Sequence, residues 1–215
     1  MKIFTGNPCG NYKDIDKLKE YDLGVMLSVG KNGRGIKALK KEGVHTAIDN
    51  GAFMAFEKGF PFNPTLFWKL LGDAFLDGSK PEFIVCPDIV AGGLKSLEFS
   101  KKWATEKLVG SQVLALAVQD GMEPKHISDE FLANFSQIFV GGSIDWKWQT
   151  AKTWVDFAHS KGKKCHIGRC GTYDRLCEAR DIGADSVDST SFVRNKSWHI
   201  LDKFLGLGEE ENLLL

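Results

Sequence analysis

Short runs that are apolar at nearly every position recur along the chain, separated by stretches whose apolar residues fall at helical spacing. The runs are "KIFTG" at 2–6, "GVMLSVG" at 24–30, "HTAIDN" at 45–50 and "FIVCPD" at 83–88. They continue with "VLALAVQ" at 113–119, "QIFVGG" at 137–142, "KCHIG" at 164–168 and "DSVDS" at 185–189. Runs without polar alternation suit parallel strands buried on both faces. Helices are predicted at 13–22, 33–43, 63–78, 92–110, 124–136, 148–162, 173–183 and 195–206. Asn63 followed by Pro64 reads as an N-cap with proline at the first helical position. Gly162 and Gly183 read as glycines that end helices.

Eight strands, each followed by a helix, is the count of a closed α/β barrel, a compact (β/α)₈ fold filling residues 1–215 as one domain. A doubly wound open sheet is the competing arrangement. The length is enough to bury a sizeable core.

Composition narrows the function. Lys plus Arg and Asp plus Glu number 28 each, so the formal net charge is zero. That balance argues against coating nucleic acid or an anionic membrane by bulk electrostatics, though not against a local basic patch. The first residues turn polar at once, no run approaches a membrane span, and the five cysteines are scattered. The expectation is a cytoplasmic protein with reduced thiols and no membrane partner.

In a barrel, chemistry gathers where strands end at their C-terminal side. Those ends read Asp49, Asp88, Gln119, the pair Gly141 and Gly142, Gly168 and Asp188. Any one such aspartate has a plain reading as a helix cap, and the glycines as turn formers. Together, three acids and an amide at one mouth suit recognition of a heterocycle with acid–base or nucleophilic work.

Six segments, in order, carry a resemblance: "DNGAFM" at 49–54, "CPDIV" at 86–90, "VQDG" at 118–121, "VGGS" at 140–143, "HIGRCG" at 166–171 and "DSTSFVRN" at 188–195. They are similar to "DSGG(F/Y)Q", the short motif with a base-binding Asp, "VQGG", "VGGL", "HxxGxG" and "DxxxxTRN" of the tRNA-guanine transglycosylase superfamily. Those barrels exchange guanine in RNA for a 7-deazaguanine. The resemblance implies that Asp188 is a nucleophile and Asp49 a general acid/base. It implies that Asp88, Gln119 and the Gly142 N–H read the base edge, with Gly141 and Gly168 completing the binding set. Phe53 matches the aromatic that stacks on one face of the base, and Ile167 stands where many members have a methionine on the other.

Arg169, Arg194 and Lys196 are the expected phosphate contacts. "KGKK" at 161–164 lies before a strand, at the opposite end, and is expected to be solvated. Trp146 and Trp148 either stack on flanking bases or pack the start of a helix. The family's zinc segment, "CxCxxC" with a later His, is absent. Cys165, His166, Cys170 and Cys177 do not have the spacing of a usual zinc site, so no metal or other cofactor is expected. A compact chain without that segment resembles the phage- and bacteria-associated branch that places 7-deazaguanines such as preQ0 in DNA, which favours DNA over tRNA as partner. Relatives commonly dimerise, so a homodimer is a further expectation. A purine-binding module without catalysis, a tRNA-acting transglycosylase and a hydrolase-like barrel remain open alternatives. The tail "GLGEEENLLL" has no assignment.

Overall fold

A computed structural model describes residues 1–6, 14–29, 33–75, 80–111 and 113–207, with residues 33–35 as backbone only. The predicted tail beyond Leu207 and the fifth cysteine, Cys9, lie outside the described residues.

Eight strands form a closed, all-parallel barrel in which each strand pairs with its sequence neighbours and the last closes on the first. They are β1 (Lys2–Gly6), β2 (Gly24–Leu27), β3 (Thr46–Ile48), β4 (Ile84–Val85), β5 (Leu114–Val118), β6 (Gln137–Val140), β7 (Lys164–Ile167) and β8 (Ser186–Ser189). All eight predicted strands are present, and the open sheet is excluded. Strand β4 is the shortest. Pro87 follows it and has no N–H to offer a ladder.

Because side chains alternate across a strand, each strand sends one set inward and one outward. The inward set is Phe4, Met26, Ala47, Phe83, Val85, Ala115 and Ala117, with Phe139 packed against it. Large rings face small residues, as a narrow barrel requires. A Cβ at Gly24 would lie 2.4 Å from the Phe4 ring, so glycine there is what lets Phe4 fill the axis. The outward set, including Val25, Leu27, Ile48, Ile84, Leu116, Ile138, Cys165, Ile167 and Val187, packs beneath the helices.

The helices are α1 (Ile15–Glu20), α2 (Gly33–Lys41), α3 (Ala52–Glu57), α4 (Pro64–Phe75), α5 (Leu94–Glu106), α6 (Asp129–Leu132), α7 (Ile144–Ser160), α8 (Tyr173–Asp181), α9 (Ser191–Arg194) and α10 (Trp198–Leu205). Asn63 caps α4 as predicted, its Oδ1 accepting the Leu66 N–H at 3.1 Å. Gly162 and Gly183 end α7 and α8 with φ of 64° and 88°. Three features differ from expectation. The 124–136 stretch splits into a 3₁₀ turn and α6, because Ser128 accepts the Phe131 N–H at 3.2 Å and restarts the helix. Helix α7 starts at Ile144, before Trp146. Short helices α3 and α9 follow β3 and β8 directly, so the backbone turns immediately beyond Asp49 and Asp188.

The four described cysteines are free. Among the described residues, no helix is long and apolar enough to cross a membrane.

Candidate active site

The C-terminal ends of six strands build one mouth. Strand β3 leads to Asp49 and Asn50, β4 to Asp88, β5 to Gln119, β6 to Gly141 and Gly142, β7 to Gly168 and Arg169, while β8 carries Asp188.

Three of these groups are joined directly. The Gln119 side-chain amide donates to Asp88 Oδ2, and its Oε1 accepts the Gly142 N–H at 3.1 Å and the Ala91 N–H at 3.4 Å. Gly141 keeps this contact close: a Cβ there would lie 2.9 Å from Gln119 Nε2. On the other side of Asp88 stands Asn50, which the sequence reading did not single out. Its amide donates to Asp88 Oδ1 at 2.7 Å and to the Cys86 carbonyl at 2.8 Å, and its Oδ1 accepts the Ala52 N–H at 2.8 Å. Asn50 therefore starts α3 and aims Asp88 with the same side chain. The available signal was an Asn directly after a strand and two residues before a helical run, the spacing of an Asx turn.

Burial pushes Asp88 up to about 6, against the lowering effect of its bonds from Asn50 and Gln119. Asp49 is pushed up to about 7, chiefly by burial and further by the charges of Asp188 and Asp88, while the Gly51 N–H works in the opposite direction. That N–H donates to Asp49 Oδ1 at 3.2 Å. The charges of Asp188 and Asp88 thus reach Asp49 across the mouth and help hold it near neutrality.

Raised carboxyl pKa values also set the pH dependence of stability. Asp49 and Asp88 ionise more easily in the unfolded chain, near pH 3.9. Their contribution is intact below that pH and is lost as pH rises through their folded values of about 7 and about 6. The loss is on the order of a few kcal/mol. Asp49→Asn is therefore expected to raise the thermal midpoint at pH 8 and to change it little at pH 4. Calorimetry of both proteins across that range checks the difference.

Asp188 stands at the end of β8 with its side chain 15 % exposed. Its Oδ1 lies 3.0 Å from His166 Nε2. Beside it, Lys147 from the first turns of α7 is only 1 % exposed and donates to the Gly168 carbonyl. Burial, and then the Arg169 charge, bring the Lys147 amine down to about 8, against the pull of Asp188. The sequence hint for Lys147 was a lysine set between two tryptophans in "WKW". Its buried amine ties α7 to the turn that borders Asp188.

Arg169 adopts the left-handed region at φ 64°. It donates to the Gly142 carbonyl, and its guanidinium lies 4.6 Å over the Phe53 ring. Phe53, on α3, is 37 % exposed at the mouth. Arg194 and Lys196 are exposed just past β8, on and beyond α9, and neither makes an ion pair with a described residue.

One sequence expectation is corrected. Ile167 is fully buried in the layer between barrel and helices, so it cannot face a ligand opposite Phe53. Strand alternation is the reason: in β7 it is His166 that points inward, and its neighbour must point out. Trp146 and Trp148 pack as helix residues against the core, and Arg175 lies 4.5 Å over the Trp148 ring. Lys164 begins β7 at the end opposite the mouth, and Lys161 pairs with Asp129 at 2.6 Å.

The cysteine–histidine cluster does not fit a zinc ion. Cys165 packs in the outer layer while the His166 ring lies inside the barrel against Phe4, Phe83 and Phe139. Burial pushes the Cys170 thiol up to about 12, away from the thiolate a metal needs. Among the described residues, no group of three or more His, Cys, Asp or Glu is arranged to hold a metal.

No family model and no curated protein matches the chain. What the closed parallel barrel with alternating helices establishes is the fold.

Proposed function

We propose that the chain is a base-exchange transglycosylase that replaces guanine in nucleic acid, DNA in preference to tRNA, with a 7-deazaguanine such as preQ0. The observation that carries this reading is the assembly of Asp49, Asp88, Gln119, Gly142 and Asp188 at one mouth, with Asp88, Gln119 and Gly142 already in hydrogen-bond contact. A purine edge presents an N–H, an amino group and a carbonyl side by side. A carboxylate beside an amide and a backbone N–H is the complementary order once the base takes the place of the Gly142 N–H bond to Gln119.

Chemistry follows from the acids. Asp188 attacks the sugar C1′, a C1′–O bond forms, and the C1′–N9 bond breaks with its electron pair going to the base. Asp49, held near neutrality, gives that base a proton. After guanine leaves, Asp49 takes the N9 proton of the incoming 7-deazaguanine, whose nitrogen then displaces the Asp188 carboxylate from C1′. One hard displacement becomes two easier ones. The reaction returns every group to its starting state.

Phe53 supplies a stacking face, and a base must leave its helical stack to reach it. Arg194 and Lys196 supply cations for the backbone on the same side, contacts that position without reading sequence. The test is incubation with guanine-containing DNA or tRNA and a labelled 7-deazaguanine. Label is expected in the polymer with one guanine released per label, faster on DNA. Free base without label would point to hydrolysis. Binding of the 7-deazaguanine without release at any pH from 5 to 9 would point to a non-catalytic module.

A further inference from the structure

Beneath Asp188 lies a histidine that the exchange reaction, as described, does not use. His166 is fully buried, with no exposed surface at all. Its ring is stacked on Phe139 at 4.8 Å and 15°, and it meets Phe83 and Phe4 at centroid distances of 5.1 and 6.0 Å. Nδ1 lies 2.8 Å from Ser186 Oγ, and Nε2 lies 3.0 Å from Asp188 Oδ1. The ring is thus stacked on Phe139, flanked edge-on by Phe4 and at a tilt by Phe83, and held at both nitrogens by β8.

We infer that His166, anchored by Ser186, is the positioning residue that fixes Asp188 for attack. This rests on the exchange reading above. A carboxylate oxygen accepts, so the bond to Oδ1 runs from Nε2–H. Gly168 closes the same side, since a Cβ there would lie 3.3 Å from Oδ1. Oδ2 has no hydrogen-bond partner among the described residues. One oxygen is therefore tied to the barrel floor, and the other is the attacking atom. A nucleophile aimed in advance gains rate because the reacting atoms need no reorganisation, and a misplacement of about 1 Å costs on the order of 100-fold. Ser186 opens β8, at the strand end away from the mouth, so it does not act on substrate itself. It orients the ring through its hydroxyl at Nδ1.

His166→Phe keeps the ring packing and removes the donor, whereas His166→Gln restores an N–H at similar reach. The first is expected to lower kcat for base exchange by about 100-fold with KM unchanged, and the second to recover at least tenfold of that. Ser186→Ala frees the ring and is expected to lower kcat without a change in KM, which covers the case of a poorly folding His166→Phe. Proton–nitrogen NMR of the resting protein gives a readout independent of turnover: a solvent-protected Nε2 proton that is lost or shifted in Asp188→Ala. Full kcat in both His166→Phe and Ser186→Ala, or an Nε2 proton indifferent to Asp188, would overturn the assignment. If the wild type shows the protected proton but exchanges no base, the proposed reaction fails and takes the catalytic half of this assignment with it.

Discussion

Asp188→Ala is expected to abolish base exchange, lowering kcat on the order of 10⁴-fold or more while leaving guanine binding within a few-fold of wild type. The size of the loss follows from removing the atom that bonds to C1′: no neighbouring group replaces a covalent nucleophile, and what remains is binding and acid catalysis alone. Asp49 is not a substitute, because its carboxyl is held at about 7 and is the proposed proton donor. Asp188→Asn sharpens the comparison. Its amide oxygen still accepts from His166 Nε2, so packing beneath the site is preserved and only nucleophilicity is removed. Single-turnover kinetics with guanine-containing DNA, alongside calorimetric binding of free guanine, separates the two effects. Equal losses of binding and turnover would indicate a collapsed site.

The second large effect is expected at Asp88. This carboxyl is 4 % exposed and takes bonds from Asn50 and Gln119 on its two oxygens. In the proposed pocket it accepts from the guanine N1–H and amino group. Asp88→Asn turns part of that acceptor into a donor and sets N–H against N–H. A buried site left with unpaired groups discriminates on the order of 10⁴-fold. Guanine exchange should fall by roughly that factor, through KM as well as kcat, since the contact exists before and during the reaction. Hypoxanthine, which lacks the amino group, should lose less. The fall of the thermal midpoint between pH 4 and pH 8 should become shallower, because a carboxyl pushed up to about 6 by burial no longer has to ionise there, while the clash of the new amide with Asn50 or Gln119 acts at every pH. Competition assays with free purines and a pH series of melting curves measure both.

The fold was legible because a parallel barrel buries both strand faces, and runs such as "VLALAV" record that directly. Strand ends followed, and with them Asp49, Asp88, Gln119, Gly142 and Asp188. The same property hid the rest. When both faces are apolar, the pattern does not say which parity points to the axis, and a shift of one residue exchanges the faces. His166 and Ile167 are that case: the inward residue carries a ring nitrogen to Asp188, and its neighbour is lost to the outer layer. Lys147 was obscured for a different reason. Nothing local distinguishes a lysine that reaches across to Gly168 from one that points to solvent. Asn50 and the turn into α3 depended on a short helix, "AFMAFE", too brief to show a period.

The covalent intermediate is the most direct test. Wild-type protein is mixed with a guanine-containing oligonucleotide without any 7-deazaguanine, quenched by denaturation and weighed by intact-mass spectrometry. A protein–oligonucleotide adduct lacking one guanine is expected, mapped by digestion to Asp188 and absent from Asp188→Ala. An adduct at another residue, or no adduct and no released guanine from either DNA or tRNA, would contradict it.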